Sequence, residues 1–283
     1  MSFRVVSERR RLFFLNVDAI LPKEYNKTTR EMIFLINKLY HGSKDVVERP
    51  KYGFGKAYND YGLGFYCTDI LTMAKEWGAS FNRDGYANCY ELDCEGLKIL
   101  DLNHEEYNIL HWLTILLQNR EFDITSALAM EAKSYLLDNI DIEYEKYDVI
   151  KGYRADDSYF SFAQDFLNGT ISYRQLNRAM HLGKLGQQYV LKSKKAFEQI
   201  HYVGFELAES KEWYTKKMLR DKTARREYFD LERIKREKGD IYITQILDEE
   251  MKADELRLRY GLFGKSQNSA CKNDGFCSLR FAL

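Results

Sequence analysis

Hydrophobic residues change period along this chain, from two to 3.6 and back, and that order leaves few fold classes open. Cys89-Tyr90-Glu91-Leu92-Asp93 and Leu97-Lys98-Ile99-Leu100 alternate apolar and polar residues, the signature of half-buried strands. Leu39-Tyr40-His41, stopping at Gly42-Ser43, reads as a strand, and so does 64–68. Further strands are expected at 147–150, 188–191 and 200–205. Apolar residues at helical spacing mark helices over 70–79, 104–119, 126–137, 157–168 and 172–182, with Thr68 or Asp69 available to cap the first. A charged helix over 209–238 and another over 241–260 follow. Strands and helices come in blocks rather than in strict alternation, so the expected class is α+β. No repeat of 20–50 residues is visible.

Four segments are expected: an N-terminal extension at 1–37, a central domain at 38–208, a charged helical extension at 209–263 and a loose tail at 264–283. In the first, Asn26-Lys27-Thr28-Thr29 offers a helix cap before Met32–Ile36. Residues 44–64, with Gly53, Gly55, Gly62 and Gly64, read as a loop. Lys plus Arg equals Asp plus Glu at 43 each, which excludes a globally basic nucleic-acid coat and an acidic tail. Two prolines, where average usage gives about 14, exclude a Pro-rich linker. No apolar run reaches the ~18 residues of a membrane-spanning helix. Arg9-Arg10-Arg11 and the apolar stretch after them are cut short by Asp18, too soon for a signal peptide. The five cysteines (Cys67, Cys89, Cys94, Cys271, Cys277) fit no zinc spacing. The expectation is a cytoplasmic chain with free thiols, no metal and no membrane partner.

Three stretches carry chemistry together: Leu39-Tyr40-His41-Gly42-Ser43; Gly62-Leu63-Gly64-Phe65-Tyr66-Cys67-Thr68 with Ala74 and Trp77 after it; and Gly186-Gln187-Gln188-Tyr189-Val190-Leu191. The set resembles the ADP-ribosyltransferase superfamily in its His–Tyr–Glu branch, that of diphtheria toxin and the poly(ADP-ribose) polymerases. In closer detail, with Tyr-His-Gly-Ser, Gly-x-Gly-Phe-Tyr-x-Thr, Ala155-Asp156-Asp157 and Gln-Tyr-Val, it resembles a bacterial family labelled DUF3990, over roughly 38–205.

The resemblance implies split antiparallel β-sheets framing an NAD cleft, with helical insertions and a helical C-terminal extension. It implies a glycosyltransferase that moves one ADP-ribose from NAD, its co-substrate, to a protein or nucleic-acid acceptor and releases nicotinamide. The transition state resembles an oxocarbenium ion, as in glycoside hydrolysis. By the same resemblance His41, Tyr66 and Gln188 are catalytic, and His41, Gly42, Ser43, Tyr66, Thr68 and Arg154 bind NAD. Tyr66 stacks on nicotinamide, Gly42 and Ser43 meet its carboxamide, and His41 meets the adenosine-side ribose. Asp156, Asp157 and Gln187 are candidates for the acceptor or the rim, with a helix N-cap the plainer reading of the two aspartates. Possible further partners, if the chain is a toxin, are an antitoxin or a neighbouring small protein.

One departure matters. The third motif position is Gln188, where the branch has Glu. Gln accepts a hydrogen bond but is no general base and brings no full charge to the oxocarbenium. A nucleotide-binding module without catalysis and an NAD glycohydrolase are the rival readings. The 209–238 stretch holds eleven Lys and Arg against seven acids, with Trp213, Tyr214, Tyr228 and Phe229 interleaved. That fits a solvated helix, or contact with nucleic acid or an acidic partner.

Overall fold

A computed structural model of the chain describes residues 36–259, except 141, 156, 183–185 and 234–236 and the side chains of Ile36, Asp157, Ser158 and Tyr159. The helix cap at 26–29, nearly all of the 1–37 segment, Asp156 and the 264–283 tail lie outside the described residues.

The strands are β1 (Ile36–Ser43), β2 (Phe65–Thr68), β3 (Gly85–Asp93), β4 (Ile99–Asp101), β5 (Val149–Gly152), β6 (Gln188–Leu191) and β7 (Ile200–Ala208). The helices are α1 (Leu71–Gly78), α2 (Ile109–Asn119), α3 (Ala127–Asn139), α4 (Asp157–Leu167), α5 (Tyr173–Ala179), α6 (Lys194–Glu198), α7 (Ser210–Glu232) and α8 (Ile243–Asp248). The architecture is mixed α+β, with the strands in the order β4-β5-β6-β2-β1-β3-β7. Among the described residues only β4 and β5 run parallel.

The expected pair of sheets is one sheet with a narrow waist. β1 pairs with β3 along its whole length and β2 with β6 along all four residues, but β1 and β2 share the single pair Tyr40↔Thr68. Continuing that register would set Gly42 opposite Tyr66. Instead the strands splay, because the His41 side chain enters the ladder: its Nδ1 lies 2.7 Å from the Tyr66 carbonyl.

One face of the sheet carries the larger core. Helix α2 buries Ile109, Leu110 and the run Trp112–Leu117 in the same core as Phe162 and Phe166 of α4 and Val190 of β6. Each large side chain fully buried there contributes about 1.5–3 kcal/mol. The other face holds Leu39, Phe65, Tyr90, Leu92 and Leu191. Phe65 and Tyr66 thus serve opposite faces, as strand alternation requires.

Several boundaries move from their sequence positions. The 104–119 helix starts at Ile109, because the Asn108 side chain accepts the Leu110 N–H and His111 Nδ1 accepts the Asn108 N–H. Neither Thr68 nor Asp69 caps α1; Ile70 holds the cap position and Thr68 Oγ1 accepts its N–H at 3.2 Å. The 241–260 helix breaks in two after Asp248, where Glu250 takes φ 48° and a second helical stretch covers 253–259. The charged helix ends at Glu232 rather than 238.

Helix α7 is packed into the body. Trp213 lies with Ala79 and Ala208 at the sheet end, Arg220 Nε donates to Glu76 Oε2 of α1 at 2.8 Å, and the Tyr228 ring stacks on Phe162 at 3.7 Å. The helix therefore runs from the end of β7 across α1 to α4.

Candidate active site

A cavity of about 760 Å³ opens at the waist, where β1 and β2 part. His41 and Gly42 line it from β1, Phe65 and Tyr66 from β2, Gln188 from β6 and Trp77 from α1. Unpaired strand edges bring side chains from both faces of the sheet to one gap.

The His41 ring packs against Phe65 with centroids 4.5 Å apart. Burial lowers the pKa of its imidazole, against the opposing pull of the Tyr66 carbonyl. The ring is therefore neutral at physiological pH, and Nδ1–H must be the donor to that carbonyl. Nε2 then carries the lone pair.

Tyr66 is held by its far end. Its hydroxyl donates to the Gly62 carbonyl at 2.5 Å and accepts the Tyr61 N–H at 3.1 Å. Burial raises the phenol pKa far above its ordinary value. Tyr66 cannot act as an acid or base; it offers a fixed aromatic ring.

Gly42 has a second reason to be glycine. A Cβ there would lie 2.0 Å from the Ala74 carbonyl oxygen and 2.7 Å from Trp77 Cβ. Its bare side faces α1, so the glycine lets the helix and Trp77 close on β1.

Gln188 stands opposite Thr68 on β2 and Gly152 on β5, on the same face as Tyr66. It is 6% exposed, and its Oε1 is buried without a hydrogen-bond partner among the described residues. The Trp77 indole N–H is buried without one as well. Unmet buried polar groups are costly, typically ~1–3 kcal/mol each, so a donor for Gln188 and an acceptor for Trp77 are wanted here.

Arg154 also lines the cavity, its guanidinium 4.3 Å from the Trp77 ring centroid. Ser43, Thr68 and Gln187 do not line it, because their polar groups are engaged elsewhere. Ser43 Oγ donates to the Asp45 carbonyl and accepts from Asn88 Nδ2, Thr68 Oγ1 serves Ile70, and Gln187 Oε1 accepts from Asn103 Nδ2 at 2.8 Å. Asp157 opens α4, its side chain outside the described residues like the whole of Asp156.

Sequence reasoning missed most of the charged wall. Arg49, Lys51, Arg120, Arg154, Lys217 and Arg225 line the cavity against two carboxylates, Asp60 and Asp221. Asp60 is buried, accepts the Ala155 N–H at 2.9 Å and lies 3.5 Å from Arg120. The surplus of cations suits an anionic ligand. Lys217 and Arg225 come from α7, eight residues apart on one helix face; that spacing was the available signal. Among the described residues no group of three or more His, Cys, Asp or Glu is arranged to hold a metal ion, and no helix is long and apolar enough to cross a membrane.

A family model described as a protein of unknown function, DUF3990, matches residues 37–202, from the start of β1 into β7. No curated protein and no solved structure gives a significant match. The family match spans more than half of the chain and takes in β1, β2 and β6 with all of the cavity lining except the part from α7, and the chain belongs to the DUF3990 family.

Proposed function

We propose that this protein is an NAD-dependent mono-ADP-ribosyltransferase. The observation that carries the reading is the buried, unpartnered Gln188 oxygen beside a fixed aromatic ring in a cation-rich cavity. Tyr66 would take the nicotinamide ring, Gln188 would accept from the 2′-hydroxyl of the adjoining ribose, and His41 Nε2 would accept from the second ribose. The cations would meet the diphosphate.

In the transfer the C1′–N bond to nicotinamide breaks, and its electron pair leaves with the nicotinamide nitrogen. The ribosyl cation is captured by an acceptor nucleophile, whose proton passes to solvent. The cleft binds and orients; Gln188 takes no proton. The acceptor must therefore be intrinsically reactive, and repeated transfer into a polymer is disfavoured. One feature favours the second reading, a binding module without turnover: both cavity carboxylates are ion-paired, Asp60 with Arg120 and a backbone N–H and Asp221 with Arg220.

Incubating the full chain with nicotinamide-labelled NAD, with cell lysate or with purified RNA separates the two. Transfer predicts nicotinamide release that falls in His41→Ala and Gln188→Ala. Calorimetric NAD binding without release in any mixture would leave the binding module, and no NAD binding would remove both.

A further inference from the structure

We propose that the mouth of this cavity binds a single-stranded nucleic acid, which the transferase reading makes the ADP-ribose acceptor. The loop between β1 and β2 exposes three large aromatic side chains within seven residues: Tyr52 (51%), Phe54 (72%) and Tyr58 (71%). Isolated exposed aromatics are ordinary, whereas a loop that sets Phe54 on the main cavity and Tyr52 on the one beside it, with Tyr58 exposed on the same loop, marks a binding surface. Phe54 itself lines the main cavity.

Cations accompany these rings. Lys51 Nζ lies 5.7 Å from the Phe54 ring centroid, and Lys194 Nζ lies 5.8 Å from that of Tyr52. Across the gap α7 contributes Lys217 and Arg225 to the same cavity. Exposed rings with interleaved cations form the surface a single strand uses, bases stacking on rings while phosphates meet ammonium and guanidinium groups. An apolar protein partner would not need the cations, and a duplex would offer the rings no free base face.

A second cavity of about 280 Å³ adjoins the first, sharing Gly64 as a lining residue. Tyr52, Phe197 and Leu63 form its apolar walls, with Glu145 and Lys192 at its polar edge. Its size suits one heteroaromatic ring system rather than a dinucleotide. Glu145 can accept from an exocyclic amine, and Lys192, whose Nζ donates to the Tyr61 carbonyl at 2.6 Å, stiffens the wall. One base would sit here while the neighbouring nucleotide reaches the ribosyl carbon in the main cavity.

Fluorescence anisotropy without NAD tests the binding step separately from transfer. Labelled single-stranded DNA and RNA oligomers, their duplexes and polyglutamate are titrated into the full chain. The expected result is preference for single strands of one or both sugars. Affinity should fall about 5- to 150-fold in Phe54→Ala and Tyr58→Ala, the equivalent of one lost stack. Phe54→Tyr and Tyr58→Phe, which keep the ring, should retain it. In Lys51→Ala the slope of log affinity on log salt should shallow by about 0.7. Equal affinity for duplex, polyglutamate binding as tight as oligomer, or unchanged affinity in both alanine variants would overturn the proposal. The transferase reading is scored independently, by nicotinamide release from labelled NAD in whole cell lysate with no oligomer added.

Discussion

In the proposed transfer, Gln188 limits the chemistry by what it lacks. Gln188→Glu puts a carboxylate where the unpartnered oxygen lies, and a charge-assisted bond is about twice as strong as a neutral one. NAD hydrolysis should rise, because a carboxylate stabilises the ribosyl cation and can draw a proton from water. Gln187→Glu is the control, since Gln187 lies outside the cavity with its oxygen held by Asn103. A rate change at 187 and none at 188 would move the reacting position off β6's inward face. His41 supplies a pH signature. Its pKa is lowered in the fold by burial, so below pH 6.5 the unfolded chain takes up a proton that the folded one resists. Stability is complete above pH 6.5 and falls as pH drops below it, until the folded pKa is reached. The loss attributable to His41 is at most about 1.4 kcal/mol per pH unit. His41→Asn, which keeps a donor for the Tyr66 carbonyl, should lessen the fall in unfolding free energy between about pH 7.5 and pH 5.5. Burial lowers the His111 pKa too, but that group is common to both proteins. Identical pH slopes in urea melts of the two would exclude His41 as the titrating group.

Helix α7 is joined to α1 by an ion pair that solvent barely reaches. The Glu76 and Arg220 side chains are 7% and 11% exposed, with Oε2 and Nε 2.8 Å apart. Arg220 also pairs with Asp221, its Nη2 3.0 Å from Oδ1, so Glu76→Leu leaves the buried guanidinium one partner and should cost less than the ~3–5 kcal/mol of a fully stranded charge, while the coupling with Arg220→Leu reads what the Glu76 pair itself contributes. A double-mutant cycle in denaturant with no coupling would show that α7 is held by its apolar contacts, Trp213 and Tyr228 among them, rather than by this pair. This contact explains what the sequence did and did not disclose. The strands at the cavity were legible, because Leu39–Ser43, 64–68 and 188–191 combine period-two patterning with glycine punctuation. Gln188 was legible as a departure from a motif. The docking of α7 was not: its pattern of cations and acids suits a solvated helix, and only Ser210, Trp213, Ala224, Tyr228 and Leu231 are buried, too sparse a set for a periodic stripe. Asp60 was equally hidden. It sits in a polar loop, and its burial depends on Arg120 and Ala155, distant in sequence.

At the scale of the whole molecule, neutrality conceals a polarised cavity. The formal charge of the chain is zero, yet the cavity lining carries six cationic side chains and two carboxylates, drawn from the β1–β2 loop, the end of α2, the segment after β5 and α7. Segments far apart in sequence converge on one cation-rich wall, and their charge is balanced elsewhere in the chain. Such a wall acts through an electrostatic field that salt screens, with a Debye length of about 10 Å at 0.1 M. Affinity for NAD and for ADP-ribose, both carrying a diphosphate, should therefore weaken as ionic strength rises. Nicotinamide, neutral and on the proposed reading stacked on the Tyr66 ring, should bind with little salt dependence. Charge reversal on the wall separates the two contributions: Lys217→Glu with Arg225→Glu should lower ADP-ribose affinity and flatten its salt dependence while leaving nicotinamide binding unchanged. Both residues belong to α7, which lies beyond the 37–202 family match, so the same experiment asks whether the helix is part of the site or merely packed beside it. Calorimetry at several salt concentrations gives the answer. Parallel salt slopes for ADP-ribose and nicotinamide would mean that the cations do not face the ligand. An unchanged slope in the double variant would confine the anion contact to Arg49, Lys51, Arg120 and Arg154, all within the family segment.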